Sequence, residues 1–150
     1  MEDALLIIFM IISAVQLVVG IWLLIGIKKR KGLSSQHSVS VIIAARNEAP
    51  QLKALLEQLK RQNHTEFEVI LIDDRSEDNS HVVLQAFEKE EWLKIVRISN
   101  LPEGWNGKKY ALKQGISQAK NEILLFTDAD CLPRSQDWIS QMTAVIKGKI

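Results

Sequence analysis

The 150-residue sequence has one cysteine, three histidines and no glycine-rich phosphate-binding motif. Because Cys131 is alone, the sequence excludes an intrachain disulfide and a cysteine cluster for zinc. The three histidines share no spacing, which argues against a metal site built from them. No Gly-x-Gly-x-x-Gly follows the first predicted strand, and Gly-Lys-Ser or Gly-Lys-Thr does not occur. The ordinary dinucleotide-binding and P-loop classes therefore lose support.

A large excess of charge of either sign is also missing, since the formal net charge is +1. Residues 1–31 hold four basic residues, the run 28–31, against Glu2 and Asp3. The remainder has 15 basic and 16 acidic residues (19 − 4 and 18 − 2), a balance of −1. A near-neutral region of this kind has no basic footprint for nucleic acid, so we expect no nucleic-acid partner.

One long apolar run, Ala4–Ile27, is interrupted by only two strongly polar residues, Ser13 and Gln16. A bilayer core requires roughly 20 apolar residues in a helix, so residues 4–27 are predicted to be a transmembrane anchor. The acidic start and the basic cluster after the run differ from a signal peptide. Residues 28–38 are predicted to be a basic juxtamembrane tether. Basic flanks stay cytoplasmic, which predicts a single-pass protein of the cell (inner) membrane with residues 32–150 inside. A buried core helix is the alternative.

Beyond this segment, short apolar runs alternate with stretches of helical periodicity. This alternation predicts an α/β fold with a doubly wound, mostly parallel sheet and helices on both faces. Strands are predicted at Val39–Ala45, Phe67–Ile72, Lys94–Ile98 and Ile123–Thr127. Helices are predicted from Pro50 through Leu59, from Ser76 to about Glu90, from Leu112 through Ala119, and over Asp137–Lys147, with a loop at Leu101–Gly107.

Three predicted strands end in polar clusters, which read Arg46-Asn47-Glu48, Asp73-Asp74 and Asp128-Ala129-Asp130. In a parallel sheet these ends meet at one edge, where ligands bind. A crowded acidic edge is costly without a cation, so the pattern favours a metal-assisted site. Asp128 and Asp130 are predicted to point the same way from an extended segment and to share Mg²⁺ with phosphate oxygens. The alternative is a polar turn that caps the next helix.

Four segments of the chain form a recognisable set. They are Val41-Ile42-Ile43-Ala44-Ala45-Arg46-Asn47-Glu48, Val69 to Asp78 with Asp73-Asp74-Arg75-Ser76, Gly107-Lys108-Lys109-Tyr110-Ala111-Leu112, and Asp128-Ala129-Asp130 with Pro133. In this order the four segments resemble the family 2 glycosyltransferases. The resemblance implies the nucleotide-sugar-binding half of a GT-A fold, a UDP- or GDP-activated sugar as donor, and Mg²⁺ or Mn²⁺. It also implies lipid or polysaccharide (glycan) acceptors, for which a membrane anchor is common.

The resemblance also implies site residues, carried over position by position. The sequence departs from the family's usual pattern at Ala44 or Ala45, where proline is frequent, and at Arg75, where glycine is frequent. The size of Arg75 leaves the base preference open. By position, Ala44, Asn47 and Glu48 border the nucleotide, Asp74 contacts the base with Asp73 beside it, Lys108 lies near the phosphates, Asp128 faces the ribose or sugar, and Asp130 binds the metal.

In the resembled family, the catalytic base and the acceptor-binding elements follow the Asp-x-Asp. Residues 39–150 are therefore expected to be a partial domain, with the base beyond Ile150. The implied reaction is metal-assisted, inverting hexosyl transfer, and residues 1–150 alone are expected to bind nucleotide without transferring sugar. Two alternatives stay open: a non-catalytic, membrane-anchored nucleotide-binding chain, and a receiver-like phosphoryl-transfer module using Asp74 and Asp128. Trp105 is interpreted as stacking on a sugar, lying on lipid, or covering its own loop.

Overall fold

The computed structural model describes residues 2–26, 37–144 and 146, which belong to two compact units, 1–31 and 32–150. The described residues of the first unit form one helix, α1, at Glu2–Gly26. Within it, the window Asp3–Leu23 has a mean hydropathy of 2.8, so the helix is long and apolar enough to cross a membrane. The predicted tether at 28–38 lies outside the described residues, apart from His37 and Ser38.

In its described residues, the second unit contains a four-stranded parallel sheet in the order β3-β2-β1-β4, flanked by four helices. The predicted doubly wound α/β fold is confirmed. A receiver-like fold instead has the strand order 2-1-3-4-5, in which β1 lies between β2 and β3. Because β1 here lies between β2 and β4, the order excludes the receiver-like alternative. The elements are β1 (Val39–Ala45), α2 (Ala49–Lys60), β2 (Phe67–Asp74), α3 (Ser80–Gln85), β3 (Leu93–Ile98), α4 (Gly107–Gln118), β4 (Ile123–Asp128) and α5 (Trp138–Thr143).

Alternate residues of the strands pack into two apolar layers, one on each face of the sheet. One layer joins Val41 and Ile43 to apolar side chains of α2, α3 and α5. The other joins Ile42, Ile70 and Ile72 to α4. A strand buried on both faces is apolar at almost every position, which is why the runs in β1 and in the middle of β2 do not alternate with polar residues. The buried exception in β1 is Ser40, whose hydroxyl donates to Oε1 of Glu68 at 2.7 Å.

Two helices differ from their predicted lengths. The helix predicted over Ser76–Glu90 is confined to Ser80–Gln85. The residues before it have other partners, since Ser76 and Glu77 bond to Asn47 and Asp78 accepts the N–H groups of Ala49 and Ser80. The chain after Gln85 continues in turns whose N–H groups bond three residues back. The helix predicted over Asp137–Lys147 is described over Trp138–Thr143, and its predicted end lies outside the described residues. Helix α4 starts earlier than its apolar pattern, at Gly107, because the Asn106 side chain accepts the N–H of Lys109 and caps it.

Helix α4 approaches the sheet closely at Gly115. A Cβ on this residue would lie 2.6 Å from Cγ2 of Ile42 and 2.7 Å from Cδ1 of Ile72. Both isoleucines are fully buried, so neither side chain can move aside without disturbing the sheet. The close approach therefore requires glycine, although glycine is a poor helix former.

We expect Gly115→Ala to lower the free energy of unfolding by about 1–2 kcal/mol, because overpacking outweighs the gain in helix propensity. Chemical denaturation of the solubilised chain measures the change. Ser117→Ala, at an exposed position of the same helix, is the control and should stay within about 0.5 kcal/mol of the wild type. A Gly115→Ala protein that is more stable than the wild type would contradict this account of the packing.

Candidate functional site

A cleft of about 630 Å³ lies at the carboxyl edge of the sheet. The chain runs from β1 outward to β2 and β3 and then returns to the other side of β1 as β4, so the strand order reverses between β1 and β4. Ligands of open α/β sheets bind in the crevice at such a switch point. The lining residues come from four segments at or after the carboxyl ends of the strands. They are Ala44, Ala45, Arg46 and Glu48; Asp74 and Arg75; Leu101, Trp105, Asn106, Gly107 and Lys108; and Asp128, Ala129 and Asp130.

Six of the eight residues predicted for the site line this cleft, and two do not. The six are Ala44, Glu48, Asp74, Lys108, Asp128 and Asp130. Asp73 is 7% exposed, and its Oδ1 accepts the N–H of Ser76 at 3.2 Å. Asn47 has a φ of +57°, its Oδ1 accepts the N–H of Glu77 at 2.8 Å, and its own N–H donates to Oγ of Ser76 at 3.0 Å. These two side chains shape the loops, and their contacts with nucleotide stay predictions.

An ion pair stands at the β4 side of the cleft. Nζ of Lys108 donates to Oδ1 of Asp128 at 2.7 Å, and both side chains are more than half exposed. The hydrogen bond to Asp128, reinforced by the charges of Asp128 and Asp130, raises the pKa of Lys108. Lys108 therefore keeps its positive charge at neutral pH, beside the carboxylates of Asp128 and Asp130 that line the cleft.

Asp128 is the last residue of β4, whereas Asp130 lies in the turn after it. The N–H of Cys131 donates to the carbonyl oxygen of Asp128 at 3.1 Å, which folds the chain back directly after the strand. The prediction that both carboxylates project from one extended segment is therefore wrong, because the extended segment ends at Asp128 and the turn begins at Ala129. Both side chains line the cleft nevertheless. The neighbouring carboxylate Asp130 raises the pKa of the Cys131 thiol, which disfavours a role as nucleophile.

The donor set of the cleft fits a divalent cation that is completed by a ligand. Among residues 2–26, 37–144 and 146, no group of three or more histidine, cysteine or acidic side chains is placed to hold a metal. Asp128 and Asp130 offer hard carboxylate oxygens at the β4 side. Mg²⁺ is usually held by one or two carboxylates together with water and phosphate oxygens. Asp130 is the better placed of the two to bind a cation, because Asp128 already forms an ion pair with Lys108.

A second ion pair closes the β2 side of the cleft. Nε of Arg75 donates to Oδ1 of Asp74 at 2.8 Å, and Nη2 donates to Oδ2 at 3.2 Å. This hydrogen bonding raises the pKa of the guanidinium further above its ordinary value. A Cβ on Gly107 would lie 2.5 Å from Oδ2 of Asp74, so the start of α4 can approach the pair only as glycine. The ion pair between Asp74 and Arg75 was not predicted from the sequence. The only sequence feature that pointed to Arg75 is that the resembled family frequently has glycine at this position.

The loop before α4 carries Trp105 to the rim of the cleft. Gly104 has a φ of +79°, and the N–H of Trp105 donates to the carbonyl oxygen of Pro102, as in a type II turn. The indole meets the ring of Tyr110 edge to face at 5.5 Å, and Nζ of Lys113 lies 4.6 Å from its centroid. Trp105 is 39% exposed and lines the cleft.

Asp78 connects the loop after β2 to the start of α2. Its Oδ2 accepts the N–H of Ala49, the first residue of α2, and its Oδ1 accepts the N–H of Ser80, both at 3.0 Å. Hydrogen bonds from Ser80 and from the Ala49 backbone lower the pKa of Asp78 below its ordinary value of 3.8. The folded state thus prefers the ionised carboxylate. The stability that this preference adds is complete at neutral pH and is lost as the pH falls through the lowered pKa.

Asp78→Ala should therefore lower Tm at pH 7, and the difference from wild type should shrink at about pH 3. That pH is below the ordinary pKa of 3.8, so the unfolded wild-type chain takes up a proton that the folded carboxylate resists, and the wild type loses stability. Thermal unfolding followed by circular dichroism at both pH values measures this. Glu77→Ala is the matched control. Its side chain makes no hydrogen bond among the described residues, so its Tm should follow the wild type at both pH values. An unchanged difference between pH 7 and pH 3 would disprove the role of the ionised Asp78.

The fold and the cleft define a doubly wound α/β domain with an acidic site at its switch point. The family model for glycosyl transferase family 2 matches residues 40–149, and the chain belongs to that family. It is 39% identical over 105 residues to a 4,4'-diaponeurosporenoate glycosyltransferase of Staphylococcus haemolyticus, covering 69% of this chain and 26% of the relative. It is 34% identical over 95 residues to an undecaprenyl-phosphate 4-deoxy-4-formamido-L-arabinose transferase of Pseudomonas fluorescens, covering 61% and 27%. The chain thus spans about a quarter of the length of these relatives.

Solved structures show the same fold. A mannosyltransferase from Pyrobaculum calidifontis, in complex with GDP-Man and Mn²⁺, matches with a TM-score of 0.64 and 23% identity, over 77% of this chain and 35% of that chain. S. aureus TarS 1–349, in complex with UDP-GlcNAc, matches with a TM-score of 0.50 and 30% identity, over 62% and 26%. The predicted GT-A architecture is confirmed.

Proposed function

We propose that residues 39–150 bind the donor in an enzyme that transfers a hexosyl group from a UDP- or GDP-sugar to a lipid or polysaccharide acceptor. The observation that carries this proposal is the cleft at the switch point, where Lys108, Asp128 and Asp130 converge in a family 2 chain. The relative at 30% identity that binds UDP-GlcNAc supports a nucleotide-sugar donor. The relatives named for diaponeurosporenoate and undecaprenyl phosphate support a lipid acceptor.

The charges in the cleft suit departure of a nucleoside diphosphate. As the bond between the anomeric carbon and the diphosphate breaks, negative charge grows on the diphosphate oxygens. Lys108 stays protonated and lies at the side of the cleft where that charge would develop. A divalent cation, when bound by Asp130 and the diphosphate, would supply the larger part of the neutralisation. An acceptor hydroxyl that attacks from the opposite face of the sugar would give inversion, and its general base is not assigned to a residue of this chain.

The remaining residues of the cleft would position the donor. Ala44 and Ala45 at the end of β1 leave room for a ligand to approach the strand, since their side chains are small. Glu48, half-buried at the start of α2, would border the nucleoside. Trp105 is 39% exposed at the rim, and an indole of this exposure would offer apolar contact to a sugar.

Binding should depend on Asp130 and on metal. We expect the full chain to bind UDP or GDP in the presence of Mn²⁺, and Asp130→Asn to weaken that binding at least tenfold, because one charged ligand to the cation is lost. Without Mn²⁺, the wild type and Asp130→Asn should bind each nucleotide with the same affinity. Isothermal titration calorimetry with both nucleotides measures these affinities.

Glu122→Gln is the matched control for Asp130→Asn. Glu122 precedes the same strand, roughly 20 Å from its carboxyl end at 3.3 Å per residue. The variant should bind as the wild type does. Absence of nucleotide binding by the wild-type chain, with or without Mn²⁺, would refute the proposed function.

We further propose that α1 anchors the protein in the cell (inner) membrane, with the second unit on the cytoplasmic side. The length and hydropathy of α1 support the span, and the basic run 28–31 that follows it supports the orientation. A membrane-bound donor site would stay close to a lipid-linked acceptor.

Cys131 provides a test of this orientation, because it is the only cysteine and is exposed. A membrane-impermeant maleimide should label Cys131 only after cells are opened, and labelling at about pH 8.5 offsets its raised pKa. A Cys131→Ala protein carrying Asp3→Cys should be labelled in intact cells. Labelling of Cys131 in intact cells would contradict the proposed topology and would place the second unit outside the cytoplasm.

A further inference from the structure

The carboxylate of Asp74 is covered by the guanidinium of Arg75. Both oxygens of Asp74 accept from Arg75, at 2.8 and 3.2 Å, in a fork that is the strongest geometry for this pair. Asp74 is only 5% exposed, whereas a quarter of the Arg75 side chain is exposed. A ligand that reaches this side of the cleft therefore meets a guanidinium together with a carboxylate, and not a carboxylate alone.

The backbone keeps the pair in place. Arg75 has a φ of +56°, a region that residues with a Cβ rarely adopt. Glycine would adopt it without strain, so the arginine is held there by its own contacts. A Cβ on Gly107 would lie 2.5 Å from Oδ2 of Asp74 and 2.8 Å from Nη2 of Arg75. One acceptor atom and one donor atom thus lie side by side against the start of α4.

Under the proposed function, on which this inference rests, the two sides of the cleft have different tasks. Lys108, Asp128 and Asp130 lie at the β4 side and suit the diphosphate with its cation. Asp74 is the last residue of β2 and Arg75 follows it. The ends of β2 and β4 are separated by two inter-strand spacings, or about 10 Å across the sheet. The base, at the other end of the nucleotide, then lies against the Asp74–Arg75 pair.

We propose that Arg75 determines base preference and favours uracil over guanine. An uncovered carboxylate presents two acceptors, which match the adjacent N1–H and exocyclic N–H donors of guanine. Uracil has a single ring N–H between two carbonyl oxygens. The remaining acceptor site of Oδ2 can take that N–H while the free N–H of Nη2 donates to a neighbouring carbonyl oxygen. The exocyclic amino group of guanine finds no second acceptor in the pair.

The test compares the affinities of UDP and GDP for the full chain in detergent with Mn²⁺, in the wild type and in two variants. Arg75→Gly and Arg75→Asn both remove the guanidinium, and both residues tolerate a positive φ, so each should fold. The ratio Kd(GDP)/Kd(UDP) should fall about tenfold in both variants, because uracil loses a charged hydrogen bond and guanine gains one. Since both nucleotides carry the same diphosphate, changes in phosphate binding or folding cancel in the ratio.

Arg46→Gly is the control, because Arg46 lines the cleft but is not among the described partners of Asp74. It should weaken both nucleotides alike and leave the ratio unchanged. Three outcomes would each overturn this inference while leaving the proposed function intact. The ratio could stay within about twofold of wild type in Arg75→Gly, it could shift in Arg75→Gly and not in Arg75→Asn, or it could shift equally in Arg46→Gly. If the wild type binds neither nucleotide, the proposed function fails as well.

Discussion

The central position of β1 is the constraint on which the rest of the second unit depends. β1 pairs with β2 along its whole length, from Val39 opposite Phe67 to Ala45 opposite Asp73, and with β4 on its other edge. Because both faces and both edges are covered, the strand is apolar except at Ser40, whose hydroxyl has a hydrogen-bond partner in Glu68. The reversal of strand order beside β1 then places the ends of β1, β2 and β4 around one cleft. The packing of one strand thus decides where the site lies.

The protein itself relieves much of the repulsion among the carboxylates of this cleft. Arg75 covers Asp74, and Lys108 bonds to Asp128, each from a segment next to the strand end. Asp130, in the turn, is left as the carboxylate most available to a cation. The sequence led us to expect that a metal ion is needed to offset the repulsion among these carboxylates. In the structure, two of them already have cationic partners, so a bound cation and a donor would enter a cleft that is partly neutralised.

Loop geometry separates residues that bear on the ligand from residues that build the site. Asn47 and Asp73 belong to the same strand-end clusters as Glu48 and Asp74, yet their side chains bond to the loop after β2. Asp78 joins this loop to the start of α2. The left-handed backbone at Asn47 and Arg75 turns the chain at both places. Neighbouring residues in one motif therefore differ in function because the turn sends their side chains in different directions.

The sequence by itself determined the four strands, the apolar faces of the helices, the apolar helix at the amino end and the edge at which the acidic residues gather. These features follow from hydrophobic runs and periodicities, which report burial directly. Family membership was visible in the order of four motifs. The tertiary structure decided the strand order, the early turn at Asp130, the short α3 and the covering of Asp74 by Arg75. Each of these depends on contacts between segments far apart in the chain or on a local backbone angle, and no periodicity in the sequence records either.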